Sequence, residues 1–149
     1  VSVSAFVRPA GPTTLVSFSD TCEEAWRIPE LGGRFEGNTN NASADYSAGC
    51  DYGGGSARGA PEQMLRLTLN RKRRFVFDLA GSDYRTLLAI RRGDSCPGEE
   101  LPNACAPGRA ANRSFLDLTL EPGDYFVQVD GFGEASGHWV LDVYSATPE

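Results

Sequence analysis

Histidine is almost missing from this chain of 149 residues; His138 is the sole one. A serine–histidine–aspartate arrangement needs an imidazole as its base. His138 alternates with Trp139, which places it on the solvent side of a strand. No G-x-S-x-G elbow is present, and "GDSC" (93–96) ends a strand with no helix behind it. Nucleophilic hydrolysis is therefore not the expected chemistry. No C-x-x-C pair occurs, so a zinc reading of the cysteines has little support. No apolar run approaches the ~18 residues of a membrane-spanning helix. No D-x-D-x-D-G loop is present, and helical periodicity is nearly absent. Positive charge is also in deficit: the net charge is -6, which repels a phosphate backbone and argues against nucleic-acid binding. Only Lys72 is a lysine among the 14 basic residues.

What is present suits one domain. Hydrophobic residues make up 40%, enough for a core, and 17 glycines and 9 prolines fit many short elements and turns. The chain starts at Val1 without a leader. It reads as a processed mature chain or an excised piece.

Period-2 alternation recurs along the chain. "QMLRLTL" (63–69) sets Leu65, Leu67 and Leu69 on one face. "RFVFDLAGS" (74–82) does the same with Phe75, Phe77 and Leu79, and "NRKRR" (70–74) reads as a charged hairpin turn between them. "YRTLLAIRRG" (84–93) is a further strand. "SFLDLTL" (114–120) turns at Glu121-Pro122-Gly123-Asp124 into a neighbouring strand, "YFVQVDG". There Tyr125, Val127 and Val129 face the core, Phe126 and Gln128 point away, and Asp130 caps the closing turn. "GHWVLDVY" (137–144) follows, with Trp139, Leu141 and Val143 on one face. Five or six strands with polar outer faces predict an all-β, antiparallel, jelly-roll-like sandwich. Residues 36–62 and 94–113 read as two long surface loops.

Cys22, Cys50, Cys96 and Cys105 lie in or beside those loops. An even number of cysteines predicts two disulfides and an oxidising compartment. Three pairings are available. Cys96 and Cys105 flank the short "CPGEELPNAC", so the expected pairs are Cys96–Cys105 and Cys22–Cys50.

Residues 63–143 resemble the bacterial pre-peptidase C-terminal domain. The likeness is carried by "QMLRLTL", "FVFDLAGSDYRTLLAIRRGDSC", "LDLTLEPGDYFVQVDGF" and "SGHWVLDV". "IPELGGRFEGNT" (28–39) is similar to that family's first strand, so the likeness spans residues 21–145. It implies a secreted β-sandwich module, a non-catalytic appendage of exported peptidases and other enzymes, with calcium bound in some relatives.

Calcium takes several oxygen ligands. Asp45, Asp51, Asp83, Asp94 and Asp130 all lie in or beside turns and form a pool of candidate ligands, or each caps its own turn. Trp26, Trp139, Tyr46, Tyr52, Phe126 and Phe132 read either as core or as a glycan platform. The pairs Glu23-Glu24 and Glu99-Glu100 read as exposed acidic surface rather than facing catalytic carboxylates. "RKRRF" (71–75) reads as a solvated turn. Asn41-Ala42-Ser43 and Asn112-Arg113-Ser114 match the glycosylation triplet.

Residues 1–20 fall outside the resemblance, leaving 21–149 as the sandwich domain. "VSVSAFV" (1–7) presents Val1, Val3, Ala5 and Val7 in alternation, and "RPAGP" (8–12) breaks it from "TTLVSFS". Such a segment is suited to strand addition at an open sheet edge. Donated to a second copy it makes a head-to-tail contact and a filament; otherwise it folds back as an edge strand of its own sandwich. The expected function is a non-catalytic extracellular subunit of a surface fibre. The alternative is a secreted accessory module that binds glycan or protein. The expected compartment is the outside of a bacterial cell or its surface, and the expected partners are further copies of the chain or another extracellular protein or glycan.

Overall fold

The computed structural model describes residues 12–16, 21–40, 42–44, 46, 48–50, 61–108, 114–132 and 134–146. The chain is an all-β sandwich. The strands are β1 (Thr14–Leu15), β2 (Trp26–Arg27), β3 (Gly32–Asn38), β4 (Gln63–Leu69), β5 (Arg73–Asp78), β6 (Thr86–Arg92), β7 (Glu99–Pro107), β8 (Phe115–Leu120), β9 (Gly123–Gly131) and β10 (His138–Ala146). One 3-10 turn, Cys22–Glu24, precedes β2. Sheet A has the order β1-β3-β10-β5-β8 and sheet B the order β2-β4-β9-β6-β7.

Two expected hairpins are not hairpins. β4 lies in sheet B and β5 in sheet A, so "NRKRR" carries the chain across the sandwich. β8 and β9 also lie in opposite sheets, so Pro122-Gly123 turns between layers rather than between paired strands. Alternation alone specifies which face of a strand is buried, not which strand lies beside it. The connection β6–β7 does pair consecutive strands, with Arg92 opposite Glu99 and a register shift between Ala89 and Arg91.

The inward faces are those the alternation predicts. Leu65, Leu67 and Leu69 of β4, Tyr125, Val127 and Val129 of β9, and Leu88 and Ile90 of β6 line sheet B. Phe75 and Phe77, Leu116 and Leu120, and Trp139, Leu141 and Val143 line sheet A. The rings of Phe75 and Phe77 stack at 5.7 Å. Trp139 is fully buried and donates from Nε1 to Gln63 Oε1 at 2.8 Å, which satisfies the indole inside the core. The Tyr125 hydroxyl donates to the Glu121 carbonyl at 2.6 Å and pins the turn ahead of β9.

Residues 12–16, grouped by sequence with the amino-terminal segment, lie in the sandwich. Thr14 and Leu15 pair in parallel with Phe35 and Glu36 of β3, and Val16 is buried in the core. Val1, Val3, Ala5 and Val7 lie outside the described residues.

Candidate functional site

The two outer faces of the sandwich differ. Among the described residues, the outer face of sheet A carries paired charges. Arg34 grips Asp142 with Nε at 2.9 Å and Nη2 at 3.3 Å. Arg74 grips Asp117 through Nε at 3.0 Å and Nη2 at 2.8 Å. His138 lies on this face, as its alternation with Trp139 requires, with Nε2 at 2.7 Å from Glu36 Oε1. Arg34 and Asp142 are register partners, while the Arg74–Asp117 and His138–Glu36 pairs run diagonally between adjacent strands.

Sheet B was expected to present a polar face to solvent, and only one end of it does. The rest of its outer face carries Met64 of β4, Phe126 of β9, and Leu87 and Ala89 of β6. All four are buried. Loops cover them in two apolar clusters. Cys22, Tyr46, Ala25 and Cys96 pack on Met64 and Phe126. Ala48, Cys50, Cys105 and Phe132 pack on Leu87 and Ala89.

Each cluster holds one disulfide. The pairs are Cys22–Cys96 and Cys50–Cys105, with Cα separations of 5.6 Å and 5.7 Å. Two disulfides were expected, but the pairing was not. The segment between Cys96 and Cys105 is not a loop: residues 99–107 form β7. Cys96 sits in the β6–β7 turn, and Cys105 pairs with Ala89 far along the strand. Six extended residues from Glu99 to Cys105 span ~20 Å, beyond the reach of one disulfide. Each cysteine instead fastens a loop from the first half of the chain. The backbone N–H of Cys22 donates to the Tyr46 hydroxyl at 3.1 Å, and that of Cys50 to Cys105 Sγ at 3.2 Å.

Polar groups under the cap are bonded to one another. Arg91 Nε donates to Gln128 Oε1 and Gln128 Nε2 donates to Asp130 Oδ2, both at 2.8 Å. Asp130 Oδ1 accepts from the Gly131 N–H at 2.7 Å. Asp130 thus caps its turn, as expected, but it does so buried. Gly131 is required there because a Cβ would run into the Ala135 carbonyl. Buried Glu62 accepts from the Tyr46 N–H at 3.3 Å.

The remaining aspartates of the calcium pool are spread out. Asp83 Oδ1 accepts from the His138 N–H at 2.9 Å, and Asp94 is exposed in the β6–β7 turn. Asp45 and Asp51 lie outside the described residues. Among the described residues, the group of three metal-ligating side chains is Cys22, Glu23 and Cys96, and its two sulfurs are bonded to each other. Tyr84 lies near Asp83 and Asp130. Burial raises its hydroxyl above the ordinary phenol value. Asp130 and Asp83 push it the same way, and neighbouring Thr39 opposes the rise without meeting hydrogen-bond geometry.

The aromatic residues do not assemble into a platform. Trp139 fills the core, Phe126 lies under the cap, and Phe132 is stacked beneath Arg85 at 4.0 Å. Tyr46 contacts the Cys22–Cys96 sulfurs, and Trp26 is exposed at the β2 edge. Tyr52, Asn41 and Asn112 lie outside the described residues. Among those residues no helix is long and apolar enough to cross a membrane.

The sequence held a signal for the covered face. "LLAI" (87–90) is apolar at both parities, the mark of a strand buried on both sides.

No family model matches the chain, and no curated protein matches it. Among solved structures it is similar to the crystal structure of the pre-peptidase C-terminal domain of collagenase from Bacillus anthracis. The identity is 10%, the TM-score is 0.48, and the match covers 92% of this chain and 99% of that one.

Proposed function

We propose that this chain is a non-catalytic, extracellular accessory module that works through its surface. The observation that carries this reading is the pair of disulfides, Cys22–Cys96 and Cys50–Cys105, each strapping a loop over sheet B. Such cross-links belong to oxidising compartments. They also seal the face on which buried Asp130 and Gln128 are engaged with each other and with half-buried Arg91. The other face offers His138, already paired with Glu36, and the sequence contains no G-x-S-x-G elbow for it to serve. The disulfide-bonded protein should show no turnover of peptide, ester or glycoside substrates above that of its His138→Ala variant. A turnover that disappears in that variant refutes the reading. Calcium, drawn from the Asp45, Asp51, Asp83, Asp94 and Asp130 pool, is the ion this module would take. A calcium-dependent rise in melting temperature supports that proposal, and an unchanged melting temperature removes it.

One observation favours a second reading, assembly by strand addition. β8 is an edge strand that pairs with β5. It contains no proline and a single charge, Asp117, and Phe115 is 46% exposed. The neighbouring edge of sheet B, β7, is blunted by Pro102, Pro107 and the left-handed Asn103 (φ 59°). An open edge of this kind accepts an extended segment. Val1, Val3, Ala5 and Val7 of a neighbouring copy supply an uncharged, alternating one. Deleting residues 1–10 should convert filaments into folded monomers. A monomeric full-length chain at high concentration, or a truncated chain that still polymerises, contradicts this reading.

A further inference from the structure

The cap over sheet B stops short of one end. On the outer face of β4, Met64 is covered, Arg66 is half-buried and Thr68 is exposed. Arg66 carries an anomaly. Its Nε is buried and has no hydrogen-bond partner, while its guanidinium carbon stands 5.5 Å from the Phe126 ring centroid. Removing an ionised donor from water without a new acceptor is unfavourable. The terminal nitrogens of Arg66 are not among the buried unpaired atoms, so they are the accessible part of the group.

Arg27 of β2 is the register partner of Arg66 and is exposed. Paired strands lie ~4.8 Å apart, so two guanidinium stems stand side by side on one face. Among the described residues neither arginine has an ion-pair partner. Among the described carboxylates of this region, Asp124 accepts from Thr68 Oγ1 at 2.8 Å and Glu24 from Thr21 Oγ1 at 3.5 Å, while Glu23 lies beside the Cys22–Cys96 disulfide. Two cationic forks in a protein of net charge -6 are thus left together on a rigid sheet, one of them stacked on an aromatic floor.

We propose that Arg66 and Arg27 form an oxyanion site for a carboxylate or sulfate group. A guanidinium presents parallel N–H donors matched to such oxygens, and the fork is pre-organised. Phe126 fixes the plane of the Arg66 fork. A small outward turn of that fork to meet the anion gives Nε the acceptor it lacks. Arg27 closes the site from the neighbouring strand.

The test is a titration of the 15N-labelled, disulfide-bonded protein with sodium sulfate, and separately with sodium acetate. Sodium chloride at matched ionic strength is the reference, and arginine Nε–Hε signals are followed. The Arg66 and Arg27 signals should shift together and saturate, while exposed Arg71 follows ionic strength alone. Saturation with both anions assigns a carboxylate-type site, and saturation with sulfate alone assigns a sulfate-ester site. Arg27→Gln should weaken binding by about tenfold or more, the scale of a lost charge-assisted bond. Arg66→Lys should weaken it similarly while keeping the charge and the stem, so a loss of binding there reports the fork rather than the fold. The proposal is overturned if Arg66 and Arg27 track Arg71 in both titrations, or if both variants bind as tightly as the parent.

Discussion

The indole Nε1 of Trp139 donates to the side-chain oxygen of Gln63 at 2.8 Å, joining β10 of sheet A to β4 of sheet B through the core. Gly37 completes the arrangement. A Cβ at that position would come within 2.6 Å of Trp139 Cζ2 and 2.7 Å of Gln63 Oε1. Gln63→Ala strands the buried N–H and should cost about 1–3 kcal/mol. Gly37→Ala overpacks the site and should cost about 1–3 kcal/mol. Denaturant titration of the oxidised protein measures both. The two changes act on one contact, so the double variant should lose less than the two single losses added together.

Tyr84 sets an alkaline limit. Burial, with help from Asp130 and Asp83, holds its hydroxyl protonated above the ordinary phenol value of about 10. The folded chain therefore keeps a proton that the unfolded chain releases near pH 10. Stability from this group is complete below pH 10 and falls as pH rises from there through the folded value. Burial raises Tyr125 in the same direction, against the pull of Arg92. Tyr84→Phe removes a buried hydroxyl that has no hydrogen-bond partner. Its melting temperature should be unchanged or higher at pH 7, with a shallower decline above pH 10. A lower melting temperature at pH 7 would show that the hydroxyl makes a bond in solution.

The end of β9 depends on Gly131. With the Ala135 carbonyl where a Cβ would go, Gly131→Ala must move backbone rather than a flexible side chain. It should destabilise by about 1–3 kcal/mol and weaken amide-exchange protection of Asp130 and Gly131. An alanine variant as stable as the parent contradicts this close packing.

The paired charges of sheet A should matter little for folding. The Arg74 and Asp117 side chains are 43% and 37% exposed, so truncating either should change stability by about 1 kcal/mol or less. A larger loss, measured by thermal unfolding at physiological salt, would show that the charge lattice holds the sheet together.

Part of this molecule was legible in the sequence. Leu65, Leu67 and Leu69, or Trp139, Leu141 and Val143, alternate cleanly because each strand buries one face against the opposite sheet. The order of strands was not legible. Leu120 and Tyr125 are separated by a short turn, yet they belong to different layers, and no local pattern distinguishes a turn within a sheet from one between sheets. The covered face of sheet B was half legible in "LLAI", where apolar residues at both parities left no polar side. The cysteine pairs were not legible, because closeness in sequence is not closeness in space. An extended strand such as β7 sets the two apart. The anomaly of Arg66 is invisible in sequence, since it arises from the edge of a cap built by loops distant along the chain.

Two loops are strapped across sheet B, one by each disulfide. Together the straps constrain separations of 74 and 55 residues, and each should contribute about 2–5 kcal/mol. Proteolysis of the unreduced protein followed by mass spectrometry tests this most directly. Cross-linked peptides joining Cys22 to Cys96 and Cys50 to Cys105 are expected. Peptides joining Cys96 to Cys105 and Cys22 to Cys50, or four free thiols in protein recovered from an oxidising compartment, would contradict it.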